Sequence, residues 1–86
     1  MPNRKRLIPS VQHPKFRLYC YGVATDRPSV YCQNEALDCT VRLWLDTVEV
    51  ARVTSSCSQF VISNLVAFVL DNRFDLLREW NEFFEV

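Results

Sequence analysis

The chain has 86 residues, 49% hydrophobic, 13% aromatic and 23% charged, with one Gly, four Pro and a formal net charge of zero. That composition describes one small, marginally stable globular domain and excludes an intrinsically disordered chain. No apolar run reaches the length that crosses a bilayer, so no membrane partner is expected.

The first fourteen residues contain Pro2, Pro9 and Pro14. Each removes a backbone donor and disfavours helix, so residues 1–14 read as an irregular, basic N-terminal arm. Arg4, Lys5 and Arg6 are not followed by an apolar signal segment, because Pro9, Gln12, His13 and Pro14 interrupt. The expectation is a cytoplasmic protein whose four cysteines are thiols.

Residues 15–86 read as a single α+β domain. Lys15 to Val23 alternates strictly, with Phe16, Leu18 and Cys20 on one face and Arg17, Tyr19 and Tyr21 on the other, which is the period of a strand. Thr25-Asp26-Arg27-Pro28 is a turn, and Ser29 to Gln33 a second strand with Tyr31 outward. After a turn at Asn34 to Leu37, Asp38 to Asp46 forms a third strand, with Thr40, Arg42 and Trp44 opposite the apolar set. Thr47 to Thr54 is a fourth, joined through a tight connection at Asp46-Thr47. Arg52 falls on its inward face, so fraying or a bulge is expected there.

Ser56-Cys57-Ser58-Gln59 has the form of a capping box, opening a helix from Cys57 to Leu70. Its apolar residues cover more than half its circumference, wider than one sheet face needs. Asn72 would cap a second helix, on which Leu76, Leu77, Trp80, Phe83 and Phe84 share one face and serve helix packing or oligomer formation. The order ββββαα predicts a four-stranded antiparallel sheet backed by two C-terminal helices.

The segments F-R-L-Y-C-Y-G-V and T-D-R-P, with the closing L-V-A-F-V-L-D-N-R-F-D-L-L-R-E-W-N-E-F, resemble the small bacterial domain-of-unknown-function 4160 family over residues 14–84. The Leu-Leu pair and Trp-Asn dipeptide of the tail are the more specific part. The family's His-rich stretch is absent; Pro28-Ser29-Val30-Tyr31-Cys32 stands there. The resemblance implies a toxin–antitoxin-like or mobile-element module without a settled activity.

No catalytic set is legible. His13 is the only histidine, and a ribonuclease-like enzyme would have to combine it with Arg and Tyr residues. Cys20, Cys32 and Cys39 line up as neighbours if the first hairpin centres on Asp26 and the second between Glu35 and Ala36. They read as core residues, with a zinc site or an oxidised cross-strand pair as alternatives. Asp71, Asp75, Glu79 and Glu82 share a helix face and read as a solvated surface rather than a cation site. No metal or cofactor is expected.

The functional expectation rests on the outer sheet face, where Arg17, Tyr19, Tyr21, Tyr31, Arg42 and Trp44 gather. Tyr, Trp and Arg are favoured at protein interfaces, which points to a non-enzymatic protein-interaction module, a homodimer with or without a heterologous protein partner. The same residues suit a nucleic-acid platform as an alternative, against which the zero net charge weighs. Charge is uneven along the chain: residues 1–27 hold six cations against Asp26 alone, and residues 71–86 hold five carboxylates against two arginines.

Overall fold

A computed structural model describes residues 3–54 and 56–84. Five strands, β1 (Arg4–Leu7), β2 (Arg17–Gly22), β3 (Ser29–Asn34), β4 (Cys39–Trp44) and β5 (Val50–Val53), precede two helices, α1 (Gln59–Asp71) and α2 (Arg73–Phe84). The strands form one antiparallel meander in the order β1-β2-β3-β4-β5. The α+β class and the helix pair are as expected. The sheet has five strands rather than four, because the basic arm supplies an edge strand.

The arm is ordered by its own apolar residues. Arg4 to Leu7 pairs with β2, and the Ile8 amide continues the ladder to the Leu18 carbonyl at 2.8 Å. Ile8 and Val11 are buried in the common core. Proline still punctuates the segment, but no proline falls within the strand.

Alternation within each strand sends Leu18, Cys20, Val30, Cys32, Val41 and Leu43 to one face, where α1 and α2 cover them. Both turns centre one residue away from the expected position, so Cys20 lies opposite Val30 and Cys32 opposite Val41. The three thiols therefore do not line up as a row. Gly22 takes a positive φ of 138°, and a Cβ there would run into the Asp26 carboxylate that accepts from the Val23 amide.

The β4–β5 connection is wider than a tight turn at Asp46-Thr47. Its loop tucks Leu45 and Val48 into the core, and β5 begins only at Val50. A register shift between Arg42 and Leu43 follows, consistent with the expected irregularity, and it turns Arg52 outward to face Arg42.

Cys39 and Cys57 form a disulfide, with Cα atoms 5.2 Å apart, while Cys20 and Cys32 are free and buried. This corrects the expectation of four thiols. The bond ties the residues before α1 to the start of β4. The helix accordingly begins later than expected, with Ser58 rather than Ser56 as the cap; its hydroxyl accepts from the Val61 amide at 3.2 Å. Asn72 stands between the helices and serves both: its carbonyl accepts from the Leu76 amide at 3.0 Å at the start of α2, while its side chain turns back to α1 and donates to the Phe68 carbonyl at 2.9 Å.

The C-terminal helix packs on its own sheet. Trp80 is 1% exposed, Leu76 and Phe84 are buried beside it, and Leu77 and Phe83 are half-buried against the core. Arg4 lies 4.6 Å and Arg6 5.1 Å from the Phe83 ring centre. The Arg6 guanidinium also donates to the Glu79 carboxylate at 3.1 Å, which accounts for an acidic side chain only 6% exposed.

Two outcomes follow. Trp80→Ala lowers unfolding free energy by about 3–5 kcal/mol in urea titration. Thiol titration finds no reactive cysteine in the native state, two in denaturant and four after reduction. Burial pushes the Cys20 thiol to about 11 and the Cys32 thiol to about 12, which keeps both protonated. Reduction costs about 3 kcal/mol of stability through the released loop.

Candidate interaction surface

The helices cover one face of the sheet, and the other is open. Alternation in β2, β3 and β4 places Arg17, Tyr19, Tyr21, Tyr31, Arg42 and Trp44 on that open face. Register then sorts them into rows. Leu7, Tyr19, Tyr31, Arg42 and Arg52 lie opposite one another across all five strands. A second row runs from Lys5 to Tyr21, with Trp44 on β4 opposite Ser29. Arg17 stands one row further along, opposite Gln33, beside Lys15 and Glu35 at the rim.

Cations and rings interleave. The Lys5 ammonium lies 4.4 Å from the Tyr19 ring centre, and the Arg42 guanidinium 5.1 Å from Tyr31 and 4.7 Å from Trp44. Tyr21 and Tyr31 meet edge to face at 5.2 Å. Arg42 is held by a 3.0 Å hydrogen bond from its Nε to the buried Ser29 hydroxyl. Arg27 approaches Trp44 at 4.5 Å and forks onto Asp46 at 2.8–3.1 Å, which holds that carboxyl below its ordinary range.

The other cations of the face lack such a partner. Among the described residues, Lys5, Arg17, Arg42 and Arg52 have no carboxylate within 4.0 Å. Arg42 and Arg52 face each other directly across β4 and β5, an arrangement that like-charge repulsion disfavours. Together with Tyr31, Thr40 and Thr54 they line one depression, and Lys5, Tyr19, Tyr21, Tyr31, Gln33, Thr40 and Arg52 line the adjoining one. Asp71, Asp75, Glu79 and Glu82 belong to the helical layer or the end of α1, away from this face. Zero net charge is thus a sum over two unlike surfaces.

Three contributors were missed from sequence. In the sequence Lys5 belongs to a proline-punctuated arm, Arg52 falls on the inward face of the fourth strand, and Arg27 stands in a turn. The expected bulge at Arg52 was the one available signal, since it implied a change of face.

His13 is not part of this surface. Its Nδ1 accepts from the Lys15 and Phe16 amides at 3.0 and 3.2 Å, and its ring stands edge-on to Phe16 and Phe68. It closes a turn rather than dangling from an arm. Among the described residues no three His, Cys, Asp or Glu side chains gather as a metal-binding group, and no helix is long and apolar enough to cross a membrane.

No family model, curated protein or solved structure matches the chain.

Desolvation, then the nearby Lys15, lowers the His13 pKa, so folding favours the neutral ring. Its stabilising contribution is complete above the ordinary value of 6.5 and is lost as pH falls through the lowered one. The urea midpoint of the wild type therefore falls between pH 7.5 and pH 5 more than that of His13→Asn, which keeps an acceptor for the turn but does not titrate.

Proposed function

We propose that this protein is a non-enzymatic interaction module whose working surface is the open sheet face, and that it acts as a homodimer. The carrying observation is the array of half-exposed rings and uncompensated cations held on five paired strands. Side chains on a hydrogen-bonded sheet backed by a packed core are presented with little freedom left to lose on binding, which favours recognition.

A separate surface supports self-association. Phe60 is 76% exposed, Leu70 56% and Phe74 78%, on or next to α1. From Gln59 to Leu70 that helix carries no charged side chain. A two-fold contact between two copies along it would bury apolar surface without opposing like charges. Leu76, Trp80 and Phe84 are already enclosed in the chain's own core and leave this role to the outer residues of α1.

The toxin–antitoxin or mobile-element setting rests on the family resemblance over residues 14–84 alone, of which the closing segment is the more specific part, and does not affect the choice of surface. The Cys39–Cys57 bond weighs against the cytoplasm as the site of action, because disulfides persist in oxidising compartments.

Light scattering after size exclusion is expected to give a dimer at low and high salt, and a monomer for Phe60→Asp with Phe74→Asp. In parallel, the double variant Tyr21→Ala with Trp44→Ala should keep the circular dichroism spectrum and the dimer, yet lose the components that co-purify with the wild type from its host. Recovery of the same components by that variant would remove the open face from the proposal, and a wild-type monomer would remove the dimer.

A further inference from the structure

We infer that the open sheet face is a platform for single-stranded nucleic acid. The inference rests on the reading of that face as the working surface, and it names the partner.

Charge selects the class of ligand. Arg42 and Arg52 are set opposite each other by strand register, with no carboxylate nearby among the described residues and with the Tyr31, Thr40 and Thr54 side chains around them. Such a pair costs stability in the free protein and gains it when an anion lies between the guanidiniums, which can hydrogen-bond phosphate oxygens. Lys5 and Arg17 extend the positive potential to either side of the aromatic rows. The carboxylates of α1 and α2 are on the opposite layer, so they do not repel a polyanion that approaches the sheet.

The rings select single strands. Tyr19 and Tyr31 are directly paired across β2 and β3, and each has a cation within about 5 Å of its ring centre, Lys5 in one case and Arg42 in the other. A base stacked on either ring would have a positive group beside it for the adjoining phosphate. Stacked bases inside a duplex cannot reach such rings, and reading duplex edges requires an element that enters a groove. This face is a shallow sheet with no helix projecting from it. A protein interface would use the same Tyr, Trp and Arg, but interfaces are depleted in Lys, and here Lys5 stands over Tyr19 while no carboxylate lies within 4.0 Å of Lys5, Arg17, Arg42 or Arg52 among the described residues.

The test is fluorescence anisotropy with labelled RNA and DNA oligonucleotides of about 12 residues, a length within the usual footprint of one small domain. The same strands annealed to complements, and inorganic polyphosphate as competitor, provide the controls. Single strands are expected to bind, with log Kobs falling against log salt at a slope of about −3, as four phosphate contacts require. Arg42→Gln with Arg52→Gln should reduce that slope by about 1.4. Tyr19→Ala with Tyr31→Ala should weaken binding tenfold or more and leave the slope unchanged. Circular dichroism and the urea midpoint verify that each variant is folded.

Equal binding of duplex, or competition by polyphosphate with no loss in the tyrosine variant, would overturn the inference and leave a general anion patch. Absence of binding to every polyanion would overturn it as well. In either case the interaction-surface reading stands or falls separately, by whether the Tyr21 and Trp44 variant loses its co-purifying components. An acidic protein found among those components, with no oligonucleotide binding, would replace nucleic acid as the partner.

Discussion

The two helices build a second layer over one face of a five-stranded sheet, and burial of that face is what the rest of the domain depends on. The two helices that follow the strands carry the apolar side chains that seal Leu18, Val30, Val41 and Leu43 from water. Burial of that single face is the dominant favourable term in so small a domain. The other face must then be stable in contact with solvent while still satisfying strand propensity. Tyr, Thr, Trp and long cationic side chains meet both demands, since their stems and rings pack laterally across the pleat while their polar ends stay wet.

The same constraint explains how the chain ends are treated. An edge strand beside a small core is exposed to fraying, and β1 is held by more than its ladder. Arg6 reaches Glu79, and Arg4 and Arg6 both lie over Phe83, so the first strand and the last helix secure each other. The basic head and acidic tail are thereby joined in part within one molecule. The disulfide performs a related task at the junction between the two layers, where the residues before α1 would otherwise be held by a few hydrogen bonds, among them the Cys57 amide to the Thr54 carbonyl at 3.2 Å. Among the described residues, Lys5, Arg17, Arg42 and Arg52 of the open face have no carboxylate within 4.0 Å, and the physical asymmetry of the domain lies there.

Much of the fold is legible locally. Period-two alternation gives the facing of the strand residues in β2, β3 and β4, and the apolar stripe of the tail identifies α2. Register was not legible, because it depends on where each turn centres. A displacement of one residue at the centre moves the cross-strand partner by two, which preserves the face and changes the neighbour. That is why the aromatic face was assembled from sequence with the proper members, while the cysteine row was not. The edge strand was obscured for a different reason: Arg4 to Leu7 is polar and proline-flanked, and only the company of β2 makes it a strand.

By itself, then, the amino-acid sequence determined the class, the element order after residue 15 and the facing of the side chains in β2, β3 and β4, because these follow from periodicities that span two to four residues. Tertiary structure alone decided that the arm completes the sheet, that Cys39 reaches Cys57, and that Arg52 turns outward to oppose Arg42. Each of those outcomes depends on contacts between segments distant in the chain or on a bulge whose position no local pattern specifies. The charge balance shows the same division: the sum is a property of composition, whereas its separation into a cationic sheet face and an acidic helical layer is a consequence of folding.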